Sequence, residues 1–163
     1  MNIYLIGMPG SGKSTVARAL AAALGRPMID LDARIEEDAL MFIDEIFSIH
    51  GEETFRELET QALKGVAKQN AVISCGGGIV ENSANRSYME GIVIYLKCRI
   101  DTLEERLKNG PIRPLLHDKP LILLERERSD SYEAFADLIV TNDGTVEGTV
   151  ENIRNLIKER KGI

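Results

Sequence analysis

Eight residues near the N-terminus, Gly7-Met8-Pro9-Gly10-Ser11-Gly12-Lys13-Ser14, constrain this chain more than any others. They fit the pattern G-x-x-x-x-G-K-[S/T] completely. They follow a short apolar run, Ile3 to Ile6, and precede an Ala- and Leu-rich segment, Lys13 to Leu24. A strand must therefore turn sharply into a helix here. The glycines let the backbone curl without Cβ clashes, so that its N–H groups face one anion. The start of the helix adds its positive dipole end. Such a loop, with Gly10, Ser11, Gly12 and Lys13 around the anion, binds a nucleoside triphosphate. The Lys13 ammonium reaches the β- and γ-phosphates, and Ser14 ligates Mg²⁺. The motif leaves open what is done with the phosphate.

The rest of the chain repeats the alternation of strand and helix. Met28 to Leu31, Ala71 to Ser74, Ile92 to Leu96 and Leu138 to Val140 are short apolar runs that read as strands. Between them, Asp32 to Asp38, Ile43 to Ser48, Glu52 to Lys68, Ile100 to Lys108 and Leu121 to Ala136 read as helices. A last amphipathic helix carries Val146, Val150, Ile153, Leu156 and Ile157. His50-Gly51 is expected to close the second of these helices. The pattern predicts an α/β domain with a mostly parallel sheet covered on both faces. At 163 residues the chain is expected to be a single domain, residues 1–163, able to bury a core without disulfides or a structural metal.

Composition narrows the function further. The formal net charge is −6, which disfavours a general nucleic-acid binder. The start lacks the basic and long apolar regions of a signal peptide, and no apolar run approaches a membrane span. Two cysteines, Cys75 and Cys98, are too few for a disulfide framework and form no zinc-type pair. These features lead us to expect a cytoplasmic protein with no nucleic-acid or membrane partner. No N-K-x-D motif is present, which sets the chain apart from GTPases. The size fits a kinase of a small molecule or nucleotide.

Three further constellations carry chemistry. Asp30-Leu31-Asp32 closes the second strand candidate, where residues two apart share a side. Either both carboxylates face a cleft, one serving Mg²⁺ waters and the other an attacking hydroxyl, or Asp32 caps the next helix. Arg56 and Glu59 are three apart on the long helix, either as a solvent-facing ion pair or as part of a site. Gly76-Gly77-Gly78 follows a strand end and is either a flexible turn or a place where a ligand approaches the backbone closely.

Taken in order, these pieces resemble the shikimate kinase family. Gly7 to Thr15 resembles its phosphate loop and Asp30-Leu31-Asp32 its D-x-D. Gly51-Glu52, Phe55-Arg56 and Glu59 resemble its G-E…F-R-x-x-E. Gly76-Gly77-Gly78 resembles its triple glycine, and Arg113-Pro114-Leu115-Leu116 its lid motif. The likeness runs from about Asn2 to Lys161.

The resemblance implies a three-layer α/β/α fold of the P-loop NTPase type, with five strands in the order 2-3-1-4-5. It implies a substrate-binding helical region near 32–61, a lid near 109–120 and a monomer. It implies transfer of the γ-phosphoryl of ATP to the 3-hydroxyl of shikimate, a step of aromatic amino acid biosynthesis. Lys13, Asp32 and Arg113 would be catalytic. Gly10, Ser11, Gly12, Lys13, Ser14, Thr15 and Arg106 would hold ATP, with Arg106 stacking on adenine. Ser14, and Asp30 through water, would serve Mg²⁺. Asp32, Arg56, Gly76, Gly77, Gly78 and Arg128 would hold shikimate, with Arg56 and Arg128 on its carboxylate. One departure stands out. The family's R-x-P-L-Y is Arg128-Ser129-Asp130-Ser131-Tyr132 here, with Arg126 nearby. The alternatives are another small P-loop kinase, for gluconate or a nucleoside monophosphate, and a catalytically silent nucleotide-binding regulator.

Overall fold

The first strand, β1 (Asn2–Ile6), is buried along its whole length, because neighbours cover both of its faces. In the computed structural model, which describes residues 1–108 and 119–161, β1 pairs in parallel with β3 (Val72–Ser74) on one side and β4 (Gly91–Lys97) on the other. The strands β2 (Met28–Asp30) and β5 (Leu138–Thr141) complete the sheet, in the order β2-β3-β1-β4-β5. All four pairings are parallel. This is the strand order that the family resemblance implies, in the parallel, doubly covered sheet that the sequence pattern predicts.

Alternation along the strands divides the core into two halves. Ile3 and Leu5 of β1, with Ile92, Ile94 and Leu96 of β4, pack against α1 (Lys13–Leu24) and α6 (Val146–Lys161). Tyr4 and Ile6, with Val93 and Tyr95, face the opposite layer. That layer consists of α2 (Leu31–Ala39), α3 (Ile43–Gly65), α4 (Ile100–Lys108) and α5 (Leu121–Phe135). From Ile3 to Ile6 the strand is apolar at consecutive positions and is sandwiched on both sides, as parallel sheets require. Asn2, 1% exposed, is the polar exception in β1. Its amide donates to Val66 O and Ala67 O and accepts from Ala71 N, tying the strand to the segment that leads into β3.

Three details differ from the sequence expectations. The helices expected over 43–48 and 52–68 form one element, α3, interrupted only at Gly51 (φ 87, ψ 172). Gly51 does break the helical backbone, as read, but Glu52 resumes it at once. The chain leaves the helix after Gly65, before the expected Lys68. Asp32 is neither extended nor a cap, because α2 already starts at Leu31 and Asp30 is its N-cap. Two 3-10 segments, Ile79–Glu81 and Ser83–Tyr88, follow the triple glycine and were not foreseen.

The bend at Gly51 separates the first turns of α3 from the part that carries Arg56 and Glu59. A Cβ at Gly51 would meet no atom within 4 Å, so the demand for glycine is purely conformational. Gly51→Ala should therefore lower stability by about 1–3 kcal/mol, the usual cost of a forbidden backbone region. A urea-unfolding midpoint that does not move would contradict this.

Candidate active site

The parallel strands all end on one edge of the sheet, and the loops leaving them converge there. After β1 the chain turns through Gly10 (φ 84) and Gly12 (φ 89) into α1. Gly12 occupies the N-cap of α1 in a left-handed conformation with no side chain to cap the helix. The N–H groups of the first turn are thus left for a ligand. Lys13 folds back over the loop, and its Nζ donates to Gly7 O at 2.9 Å and Met8 O at 3.0 Å.

A second loop braces the first. Asn142, just after β5, donates from Nδ2 to Ser11 O at 2.7 Å and accepts at Oδ1 from Thr149 Oγ1 of α6. Arg106 of α4 donates to Gly10 O at 3.2 Å and to Asn142 O at 2.7 Å. A Cβ on Gly12 would lie 2.6 Å from Asn142 Nδ2, so this close brace also requires glycine there.

On the other side of the loop lies a corner of oxygen donors. Ser14 Oγ donates to Asp30 Oδ2 at 3.1 Å and lies 3.1 Å from Ser74 Oγ. Asp30 uses its other oxygen, Oδ1, to cap α2, accepting from Asp32 N and Ala33 N. Asp30 is held from both ends. Among the described residues, no three His, Cys, Asp or Glu side chains converge as a metal cage. The corner instead suits a hard cation that keeps its waters and phosphate ligands. A cleft of about 250 Å³ joins this corner to the loop, lined also by Thr15, Asp32, Cys75, Gly76 and Gly77.

Beyond Gly76 and Gly77 stand two arginines. Arg56 Nη1 donates to Glu59 Oε1 at 3.1 Å, and its Nη2 lies 3.1 Å from Glu81 Oε2 and 3.5 Å from Glu52 Oε1. Arg128 donates from Nε and Nη2 to Glu81 Oε1, at 3.1 and 2.8 Å. The run of three glycines fits between these groups. A Cβ on Gly76 would lie 2.9 Å from Asp32 Oδ1 and 3.1 Å from Glu59 Oε2. On Gly77 it would press on Pro9, and on Gly78 it would collide with the Arg56 guanidinium. Each side chain would displace a different charged or loop group, so the flexible-turn reading does not account for the run. Tyr132 closes the far side, donating its hydroxyl to Gly77 O.

The family described as shikimate kinase matches residues 9–158. The chain is 42% identical over 164 residues to a shikimate kinase of Rippkaea orientalis, covering 96% of this chain and 88% of that one. It is 35% identical to a shikimate kinase of Bacillus cereus, covering 98% and 97%. Among solved structures, shikimate kinase from Acinetobacter baumannii in complex with shikimate superposes with a TM-score of 0.92. It is 35% identical, over 98% of this chain and 94% of that one.

The chain belongs to the shikimate kinase family.

The residues expected around ATP lie close together in the structure. Gly10, Gly12, Lys13, Ser14, Thr15 and Arg106 line one cleft, with Ser11 held beneath by Asn142. Asp32, Gly76 and Gly77 line it too, whereas Arg56, Gly78 and Arg128 sit beyond it. Arg56 and Glu59 are no solvent-facing pair, since Glu59 is 1% exposed. Arg128 is 3% exposed and Arg126 is on the surface, so only Arg128 faces Arg56. Arg113 and residues 109–118 of the expected lid lie outside the described residues.

Four site residues escaped the sequence reading. Ser74 and Asn142 had a signal, because each sits at the carboxyl end of a strand, where ligands of such sheets bind. Tyr132 was noted only as a spacing marker. Glu81 had none, because it follows the glycines in a turn that no periodicity announced.

Glu59 is electrostatically unusual. Burial raises its carboxyl from 4.5 to about 7, against the opposing pull of Arg56, and Asp32 and Glu81 add to the rise. Its Oε2 is buried without a hydrogen-bond partner among the described residues. The folded chain therefore holds a proton here, between about pH 4.5 and about pH 7, that the unfolded chain releases. Stability from this group falls as pH rises through that window. Glu59→Gln, which cannot ionise, should flatten the decline. Urea unfolding at a series of pH values measures it, and an unchanged slope would count against the shift.

Proposed function

We propose that this chain transfers the γ-phosphoryl group of ATP to the 3-hydroxyl of shikimate, releasing ADP and shikimate 3-phosphate. The observation that carries this reading is one row of groups: a phosphate cradle at one end of the cleft, Asp32 within it, and the half-buried Arg56 and buried Arg128 just beyond it. A phosphoryl donor, a hydroxyl and a carboxylate each have a chemically matched place along it.

The backbone N–H groups from Gly10 to Thr15 bind the β- and γ-phosphates, and Lys13 turns from the loop carbonyls to pair with them. Ser14, and Asp30 through water, would hold Mg²⁺, which would supply positive charge to offset that of the phosphate oxygens. Arg106 stacks on the adenine. Asp32 orients the acceptor hydroxyl and takes its proton as the new P–O bond forms. Arg56 and Arg128 fork the acceptor carboxylate, which fixes the ring so that one hydroxyl faces the γ-phosphate. Glu59 holds Arg56 in place. Gly76, Gly77 and Gly78 let the ring lie against the backbone. Arg113, outside the described residues, would offset charge on the transferring phosphoryl, as the family resemblance implies. The same reading places the enzyme as a monomer in the cytoplasm, where the free thiols Cys75 and Cys98 stay reduced.

Two outcomes test the reading. ADP release with Mg·ATP should require shikimate and not occur with gluconate or AMP, and Lys13→Met should reduce it by on the order of a hundredfold or more while the protein stays folded. Release with no acceptor preference, or an active Lys13→Met, would sink it. Arg56→Ala should raise the shikimate KM by about thirtyfold or more, the equivalent of roughly 2–5 kcal/mol of lost acceptor binding. A changed ATP KM beside an unchanged shikimate KM would show that Arg56 serves another end of the site.

A further inference from the structure

The arginine pair is already occupied from within the chain. Glu81 splits its two oxygens between the guanidiniums, Oε1 to Arg128 and Oε2 to Arg56. That is the forked arrangement a ligand carboxylate would make. Arg128 has a side chain only 4% exposed, and Glu81 is the one acidic group with which it forms an ion pair among the described residues. The Glu81 side chain is 37% exposed, so it has solvent to move into. Arg56 has two further acidic partners: Glu59, sealed in the core with nowhere to go, and the exposed Glu52, at 3.5 Å, which does not reach Arg128. The cleft lined by Asp32 and Gly77 stops short of Arg56, Gly78 and Arg128.

We propose that Glu81 is a stand-in carboxylate, which holds the arginine pair while the acceptor is absent and is displaced to solvent when the acceptor's carboxylate binds. The proposal rests on shikimate as the acceptor. It makes Glu81 a specificity-determining residue. Without a counter-anion, the buried Arg128 would lack a charge partner, a costly state. With Glu81 in place, acceptor binding becomes an exchange of one carboxylate for another. A neutral polyol brings no replacement charge, so it cannot release Glu81 and cannot reach the arginines. Selectivity against uncharged sugars then comes with weaker affinity for the correct acid.

A fixed strut would give the opposite result to a displaced competitor. If Glu81 merely held the arginines in register, removing it would loosen the site and weaken acceptor binding. The test uses Glu81→Gln, which keeps the shape, and Glu81→Ala, which removes the group. Shikimate binding is measured by calorimetry, and the KM values for shikimate and ATP by ADP release. The same titrations are run with the alcohol in which the shikimate carboxyl is reduced to hydroxymethyl. Shikimate should bind both variants about three- to tenfold more tightly than wild type, as for loss of a half-exposed competing charge. The ATP KM and the affinity for the alcohol should move by less than about twofold. Unchanged or weaker shikimate binding in the folded variants overturns the proposal, as does an equal gain for the alcohol. ADP release by the wild type with shikimate is measured first. Its failure would remove the functional reading itself, whereas success there and failure in the variants would remove only the role of Glu81.

Discussion

The double burial of β1 is the constraint on which the rest depends. Its Ile3 and Leu5 belong to one half of the core and its Tyr4 and Ile6 to the other. Hydrogen bonds to β3 and β4 fix it on both edges. A strand held on four sides has no freedom at its carboxyl end, so the turn that follows begins from a fixed point and direction. The neighbouring strands run the same way, so Asp30, Ser74 and Asn142 emerge on the same edge, Asp30 and Ser74 level with Leu5 and Asn142 further along. The register places Asp30 opposite Ser74, which is why the Ser14 hydroxyl finds both oxygens within reach. Chemistry at the edge is a consequence of packing in the middle.

The two ends of the cleft solve opposite electrostatic problems. Among the described residues that line the cleft at the phosphate loop, Lys13 and Arg106 face Asp30 and Asp32, and the backbone dipoles of the loop and helix start add positive potential. Around Arg56 and Arg128, carboxylates nearly balance the guanidiniums, and one of them, Glu59, holds its proton to about pH 7. A net charge of −6 is compatible with both, since acidic side chains such as Glu37, Asp38 and Glu104 line outer helix faces. Burial raises Tyr95 to about 12 and keeps Tyr132 and Cys75 protonated as well, so none of these three adds charge to the site.

Much of this was legible in the sequence, for reasons that differ by residue. The strands are short apolar runs, and doubly covered strands have to look like that. The phosphate loop was legible because backbone geometry demands glycine at fixed spacing. Arg56 with Glu59 was visible as a pair, but its burial was not, because a helix face shows its depth only once packed. The roles of Asp30 and Asp32 were harder to separate. Extended-strand logic put them on one side, whereas the helix begins between them, at Leu31, and gives Asp30 a structural duty as well. Glu81 was invisible because its partners lie 25 and 47 positions away in sequence, on α3 and α5. No local pattern encodes a bridge between two helices.

The brace between Asn142 and the phosphate loop has a thermodynamic consequence. Asn142 grips Ser11 O while Thr149 grips Asn142, and Arg106 clamps Gly10 O from above. These bonds order the loop before any nucleotide arrives. Capture of the phosphates then freezes little backbone motion, and the entropic penalty that usually opposes binding to a glycine-rich segment is met during folding instead. The glycines give the loop its shape, and α6, far along the chain, keeps that shape from fluctuating.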